Sequence, residues 1–98
     1  MKYNFQSVKF NPKDKLSYLV KKKTTKLRIF FKKILSIQVY AKFNNNNKCL
    51  NKEVEFIISL PGEQLIVKKS SHSFETSINL VSSKIERLLK KYKRKIVR

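Results

Sequence analysis

The apolar residues of this chain repeat with two different periods, and the order of these periods is the strongest constraint on its fold. Apolar and polar residues alternate, as in strands with one buried face, in residues 1–10, 36–43, 53–60 and 64–69. Apolar residues spaced by three and four, as in amphipathic helices, fill residues 12–33 and 74–96. The sequence therefore predicts the order β-α-β-β-β-α within a single domain, residues 1–98, because a chain this short forms one core.

Turn and capping residues separate the predicted elements. The dipeptide Asn11-Pro12 begins the first helix, since Asn accepts hydrogen bonds from free N–H groups and Pro has its φ preset for the first turn. We expect this helix to run to about Lys33. Pro61-Gly62 forms a tight turn between the third and fourth strands, and Ser73 caps the last helix.

The apolar stripes indicate which helix faces are buried. At about 100° per residue, one face of the first helix carries Leu16, Leu19, Val20, Leu27, Phe30, Phe31 and Ile34. One face of the last helix carries Phe74, Ile78, Val81, Ile85, Leu88, Leu89, Tyr92 and Ile96. Because a long helix joins the first two strands, we expect them to be parallel neighbours, followed by an antiparallel meander. The predicted fold class is α+β, with both helices packed on one face of a four-stranded mixed sheet.

Positive charge dominates the chain and lies in stripes on the helices. There are 24 Lys and Arg against 6 Asp and Glu, a formal net charge of +18, and such a surplus repels itself unless a polyanion relieves it. The margin of the first helix carries Lys15, Lys22, Lys26 and Lys33. One flank of the last helix carries Lys84, Arg87, Lys91, Arg94, Lys95 and Arg98. Glu86, on the opposite flank, offsets only Lys90. With the helices side by side, these stripes merge into a rigid basic surface suited to RNA phosphates.

Sequence features of enzymes, metalloproteins and membrane proteins are missing. His72 is the only His and Cys49 the only Cys, so neither a metal-ligand spacing nor a catalytic constellation is recognisable. The sequence also has no Gly-rich phosphate loop, signal peptide or membrane-spanning segment. We therefore expect a non-enzymatic protein without cofactor, small-molecule substrate or membrane partner, located in the reducing cytoplasm.

Ordered segments along the chain resemble the family of ribosome hibernation-promoting factors and ribosome-associated translation inhibitors. They are SVKF in the first strand, KLRIFF late in the first helix, IQVYAKF in the second strand, FIISLPGEQLIVKK across the third and fourth strands, and SFETSINLVSSKIERLLKKYKRK in the last helix. The resemblance covers nearly the whole chain. It is similar to a short form, so we expect a protein without the extra C-terminal domain of long members. Arg28 in KLRIFF stands where relatives usually carry an acid.

The resemblance implies a protein that occupies the tRNA and mRNA channel of the small ribosomal subunit and keeps idle ribosomes inactive in stress or stationary phase. The implied partner is 16S rRNA, in competition with tRNA and mRNA. Members present both helices to the RNA, so the contacts carried over are Lys22, Lys26, Lys84, Arg87, Lys91 and Arg94. Together with the stripes, the candidate rRNA-binding residues are Lys22, Lys26, Lys33, Lys84, Arg87, Lys91, Arg94, Lys95 and Arg98.

Three other interpretations stay open on the sequence alone. A general double-stranded RNA binder also backs a sheet with two helices, although its usual order begins with a helix. A structural ribosomal protein has similar size and charge, but is present at one copy per ribosome in growing cells. A membrane-surface protein with a basic amphipathic helix leaves its apolar stripe free for lipid, whereas both stripes here are needed to cover the sheet.

Overall fold

The computed structural model describes residues 2–7, 14–43 and 50–96, with side chains for residues 3–7, 14–43 and 50–94. Its elements are β1 (Lys2–Ser7), α1 (Asp14–Phe30), β2 (Ser36–Phe43), β3 (Lys52–Leu60), β4 (Glu63–Ser71) and α2 (Phe74–Ile96). The predicted order β-α-β-β-β-α is confirmed. The predicted helix start at Asn11-Pro12 lies outside the described residues.

The strands form one mixed sheet in the order β1-β2-β3-β4. β1 and β2 pair in parallel, with Phe5 opposite Val39. The other pairs are antiparallel, with Val39 opposite Phe56 and Phe56 opposite Val67. These side chains share one face of the sheet, where they join the apolar faces of both helices in a single core. The predicted α+β fold, with two helices on one face of a mixed sheet, is therefore confirmed.

The first helix is shorter than predicted, because it ends at Phe30 and not at about Lys33. The next residue, Phe31, is only 4% exposed, so the chain has already turned toward the core there. Leu35 N–H then donates to the Ser59 carbonyl at 2.8 Å, which attaches the connection to the end of β3. Lys33 consequently lies in the connection between α1 and β2, outside the helix that was predicted to carry it.

The hairpin of β3 and β4 is longer than the alternation of apolar residues indicated. β4 spans Glu63–Ser71 instead of residues 64–69, because its backbone pairs with β3 along its whole length. The predicted turn at Pro61-Gly62 is confirmed. Gly62 has a φ of 75°, in the left-handed region that glycine adopts without the steric cost of a Cβ.

Both predicted apolar stripes form the core, with one exception on α1. The buried apolar residues of α2 are Ile78, Val81, Ile85, Leu89 and Tyr92, with Phe74 and Leu88 at the edge, while the side chain of Ile96 lies outside the description. Those of α1 are Leu16, Val20 and Leu27, with Leu19 at the edge. Phe30 was predicted to be core, but 37% of it is exposed. It lies on the flank of α1 that faces α2, so α2 covers only part of the ring.

Buried serines attach the start of α2 to the sheet. Ser77 is fully buried, and its Oγ donates to the Lys52 carbonyl at 2.6 Å and lies 2.7 Å from Ser71 Oγ. Ser73 caps the helix as predicted, since its Oγ accepts from Thr76 N–H at 3.1 Å. These bonds satisfy polar groups that burial would otherwise make costly, and they set the position of α2 along the strands.

A second polar contact joins α1 to β1. Thr24 is buried on the core face of α1, and its Oγ1 donates to the Lys21 carbonyl at 3.0 Å. Burial raises the pKa of the Tyr3 phenol, and a hydrogen bond with the Thr24 side chain opposes that rise only in part. Thr24 is buried on α1 although it is polar and did not belong to the predicted apolar stripe of that helix.

The Tyr92 hydroxyl ties the end of α2 to the hairpin, and Tyr92→Phe tests its contribution. The hydroxyl donates to the Pro61 carbonyl at 2.7 Å, while the ring packs edge to face on Phe31 with centroids 5.5 Å apart. Because the substitution removes only the donor, we expect urea denaturation to show a free energy of unfolding lower by about 0.5–1.5 kcal/mol. Tyr18→Phe, at a side chain 69% exposed, is the control and should change nothing. Equal stability of Tyr92→Phe and the wild type would show that the bond contributes nothing.

Candidate nucleic-acid interface

The two helices carry most of the positive charge of the described residues. The basic residues of α1 are Lys15, Lys21, Lys22, Lys23, Lys26 and Arg28, against the single acid Asp14. Those of α2 are Lys84, Arg87, Lys90, Lys91, Lys93, Arg94 and Lys95, against Glu75 and Glu86. Since the apolar faces of both helices are buried on the sheet, most of these cations are held on the outer side of the helical layer.

The opposite face of the sheet, which bears no helix, has a different electrostatic character. Its strands place Lys42 directly opposite Glu53, with Nζ 3.3 Å from the carboxylate. They also place Lys68 opposite Glu55 at 4.0 Å. Lys42 and Lys68 on this face are thus each matched by an acid across the strands. We therefore expect a polyanion to be attracted to the helical side more strongly than to the sheet side.

The helices lie side by side and run in the same direction. Lys26 of α1 meets Glu86 of α2, with Nζ 3.8 Å from the carboxylate. About one turn further along α1 and two turns further along α2, Phe30 meets Lys93, whose Nζ is 5.9 Å from the ring centroid. Because the contacts advance together along both helices, the helices are parallel and enclose a shallow channel. We call this channel the interhelical groove, defined by Lys22, Lys26 and Phe30 on one side and by Glu86, Lys90, Lys93 and Arg94 on the other.

The candidate residues of α1 lie beside this groove. Lys22 and Lys26 are on the flank of α1 that faces α2, and both are exposed. The Lys26 side chain is 68% exposed although it pairs with Glu86, so its ammonium group is accessible to a second partner. Lys33 is exposed in the connection that follows α1.

The candidate residues of α2 fall into two groups. Arg87 and Arg94 are exposed on the outer crest of the helix, and Arg94 also lines the interhelical groove. Lys84, which is half-buried, and Lys91, which is exposed, are on the flank away from α1. Lys95 belongs to α2, but its side chain is outside the description, and Arg98 lies outside the described residues. The predicted stripe of α2 therefore extends from the crest to the outer flank.

Lys90 and Lys93 were not among the candidates, yet both line the interhelical groove with Phe30 and Arg94. The sequence assigned Glu86 to offset Lys90 within α2, whereas the ion pair of Glu86 bridges to Lys26 of α1. The helical period does place Glu86, Lys90 and Lys93 on one flank. It does not indicate that this flank faces the other helix.

The parts of the chain that the structure describes hold neither a metal-binding cluster nor a membrane-spanning helix. Within residues 2–7, 14–43 and 50–96, no cluster of three or more His, Cys, Asp or Glu side chains is placed to hold a metal ion. Among the helices described, none is long and apolar enough to cross a membrane.

The sequence matches a known family over nearly its entire length. The family described as Sigma 54 modulation protein / S30EA ribosomal protein matches residues 3–97. The chain belongs to this family. Its resemblance to hibernation and inhibitor proteins of ribosomes is thereby confirmed at the level of the family, whose description names a ribosomal protein.

Two solved structures have the same fold as this chain. A ribosomal subunit interface protein from Coxiella burnetii superposes with a TM-score of 0.84 at 23% identity, covering 96% of this chain and 99% of that one. The N-terminal domain of Protein Y from Thermus thermophilus superposes with a TM-score of 0.72 at 18% identity, covering 93% and 94%. No curated protein sequence matches the chain.

A double-mutant cycle on Lys26 and Glu86 measures how strongly the helices are coupled by charge. Both side chains are substantially exposed, at 68% and 36%, so we expect a coupling free energy of only about 0.2–1 kcal/mol. The cycle uses Lys26→Gln, Glu86→Gln and the double variant, unfolded with urea at low and high salt. The coupling should shrink at high salt because the pair is screened there. A salt-independent coupling well above this range would indicate that the pair is a structural link between the helices.

Proposed function

We propose that this protein is a ribosome hibernation factor. It binds the small ribosomal subunit in the tRNA and mRNA channel through 16S rRNA phosphates, inhibits translation and preserves idle ribosomes in stress or stationary phase. The observation that carries this proposal is the separation of charge: an outer helical layer crowded with cations, above a sheet whose helix-free face pairs Lys42 and Lys68 with glutamates. In this role the whole chain, residues 1–98, acts as one ribosome-binding domain.

Family membership supports a ribosomal partner over other polyanions. The family description names a ribosomal protein, and the Coxiella burnetii structure is described as a ribosomal subunit interface protein. A double-stranded RNA-binding domain usually begins with a helix, whereas here a strand, β1, precedes α1 and pairs in parallel with β2. A ribosomal partner also implies a cytoplasmic location and needs neither a substrate nor catalysis.

The physical basis of binding is relief of repulsion among the helical cations. Like charges one turn apart on a helix destabilise it by a few tenths of a kcal/mol per pair, and Arg87 with Lys91 is such a pair. Attraction of these cations to RNA phosphates offsets the repulsion between them, and the RNA releases its condensed counterions. The proposed rRNA contacts are Lys22, Lys26, Lys33, Lys84, Arg87, Lys91, Arg94, Lys95 and Arg98, joined by Lys90 and Lys93 beside the interhelical groove.

In this mechanism the protein inhibits translation simply by occupying the tRNA and mRNA channel. A folded protein seated on the rRNA of the channel excludes tRNA and mRNA by volume and by competing for the same phosphates. No chemical step is required, and release needs only a factor or condition that weakens the phosphate contacts.

Sedimentation of the pure protein with vacant ribosomes and with separated subunits tests the proposal directly. We expect salt-sensitive co-sedimentation with the small subunit, and mutual exclusion with added tRNA. About six phosphate contacts correspond to a log-log salt slope of about −4 to −5. Absence of binding to either subunit at low salt would refute the function, and binding undisturbed by tRNA would refute the site.

Growth-phase measurements distinguish a hibernation factor from a structural ribosomal protein. The ratio of this protein to ribosomes, measured by quantitative mass spectrometry, should rise several-fold when cells enter starvation. A constant ratio near one copy per ribosome throughout growth would favour the structural role.

A matched pair of charge variants tests the helical surface. Arg87→Gln with Lys91→Gln removes two charges from α2, and Lys42→Gln with Lys68→Gln removes two from the helix-free face of the sheet. We expect the α2 variant to bind small subunits more weakly, with a salt slope flatter by about 1.5, because each lost phosphate contact flattens the slope by somewhat under one unit. The sheet variant should keep the wild-type slope. Equal weakening by both pairs would show that only the net charge matters.

A stronger perturbation is charge reversal along the outer crest and the outer flank of α2. The triple variant Lys84→Glu, Arg87→Glu, Lys91→Glu should lose small-subunit binding while its circular dichroism spectrum and urea midpoint show a folded protein. Normal binding by the folded triple variant would remove these residues from the interface.

A further inference from the structure

We propose that Phe30 is a stacking platform for one unpaired RNA base, with Lys90, Lys93 and Arg94 holding the phosphates on either side of that base. This inference rests on the proposed function and deepens it. It assigns to the interhelical groove a ligand chemistry, an unpaired ribonucleotide, that phosphate binding by the basic stripes does not require.

The C-terminal end of the interhelical groove combines an aromatic ring with three cations. Phe30, Lys90, Lys93 and Arg94 line a shallow open depression where α1 ends against α2. The Phe30 side chain is 37% exposed, although it belongs to a residue type that is usually buried. Among the residues that the structure describes, no acid lines this depression, and Glu86, one turn before Lys90, is engaged with Lys26.

The ring of Phe30 is held by a rigid backbone. Phe30 is the last residue of α1. The following residue, Phe31, is buried, and its N–H donates to the Leu27 carbonyl at 2.8 Å. Phe31 also packs edge to face on Tyr92 of α2, with centroids 5.5 Å apart. A ring presented in this way loses little conformational entropy when a base stacks on it, which favours binding.

Lys93 covers the ring in the absence of RNA. Its Nζ lies 5.9 Å from the Phe30 centroid, at the outer limit of a cation–π contact. An exposed contact of this length is weak, so a base displaces the ammonium group at little cost. The displaced Lys93 then lies beside the stacked nucleotide, where it neutralises a phosphate. The Arg94 guanidinium, a planar group at the same depression, is suited to the next phosphate or to the edge of the base.

The combination favours an unpaired base over other ligands. A base within a duplex has both faces covered by its neighbours, whereas an unpaired base offers a free face to an aromatic side chain. A lipid surface needs a continuous apolar stripe, but the lining here is one ring among three cations. An acidic peptide would satisfy the cations without using the exposed ring.

A tryptophan reporter tests the stacking directly. The chain has no Trp, so Phe30→Trp introduces a unique fluorophore at the platform. We expect single-stranded hexaadenylate RNA at low salt to quench this fluorescence strongly, and an abasic oligomer of equal charge to quench it weakly. Tyr18→Trp, at a residue of α1 that is 69% exposed, is the matched control and should respond weakly to both. Equal quenching of Phe30→Trp by the two oligomers, or equal responses at the two positions, would overturn the proposal.

Small-subunit binding supplies the second readout. Phe30→Leu should weaken binding by about 5- to 100-fold, the range expected for one stacked base, with an unchanged salt slope because no phosphate contact is lost. Phe30→Tyr should bind like the wild type, and Tyr18→Leu should have no effect. Urea denaturation verifies that each variant is folded.

The outcomes separate this inference from the proposed function. If the wild type binds small subunits and folded Phe30→Leu binds equally well, the stacking platform is refuted and the function stands. If the wild type does not bind small subunits, the proposed function fails, and the tryptophan reporter still decides whether Phe30 stacks on RNA bases.

Discussion

Both helices bury their apolar faces on the same side of one four-stranded sheet, and this packing determines where the charged side chains of the helices lie. Burial of apolar area is the dominant favourable term in folding, at about 25 cal/mol per Å². The single core has Val20 and Leu27 from α1, Ile85 and Leu89 from α2, and Phe56 from the centre of the sheet. Once those faces are buried, the basic residues between them have only the flanks and the outer crest available.

The face of the sheet without helices differs from the helical side in how its lysines are paired with acids. Lys42 and Lys68 each face a glutamate across neighbouring strands, so the face without helices carries matched charges. The helices have far fewer acids than cations, and one of these acids, Glu86, is used between the helices. The compact protein therefore keeps a one-sided surplus of positive charge. That surplus is unfavourable in isolation and becomes favourable against RNA, which links the fold to the proposed function.

The interhelical groove is a consequence of parallel helices. Because α1 connects two parallel strands and α2 returns after the β3–β4 hairpin, both helices run in the same direction over the sheet. Their C-terminal ends are consequently neighbours, and cations near those ends also interact favourably with the helix dipoles. Lys90, Lys93 and Arg94 gather there around Phe30, which α2 covers only in part.

The sequence by itself determined the order of elements, the faces that enter the core and the basic character of the helices. Alternation and helical period are local properties, and single-sided burial requires them, so Ile78, Val81 and Ile85 could be assigned to the core without coordinates. The Ser73 cap and the Pro61-Gly62 turn were predictable for the same reason, since each depends on neighbouring residues.

Tertiary structure alone decided where α1 ends and which flank of α2 faces α1, because both depend on contacts between elements. α1 stops at Phe30 because the segment after it is drawn onto β3 through Leu35 and Ser59, a contact that no local pattern contains. Lys90 and Lys93 belong to the candidate site because the flank of α2 that carries them faces α1. A helical period shows which residues share a face of one helix. Which face meets a neighbouring helix depends on the packing of both helices on the sheet.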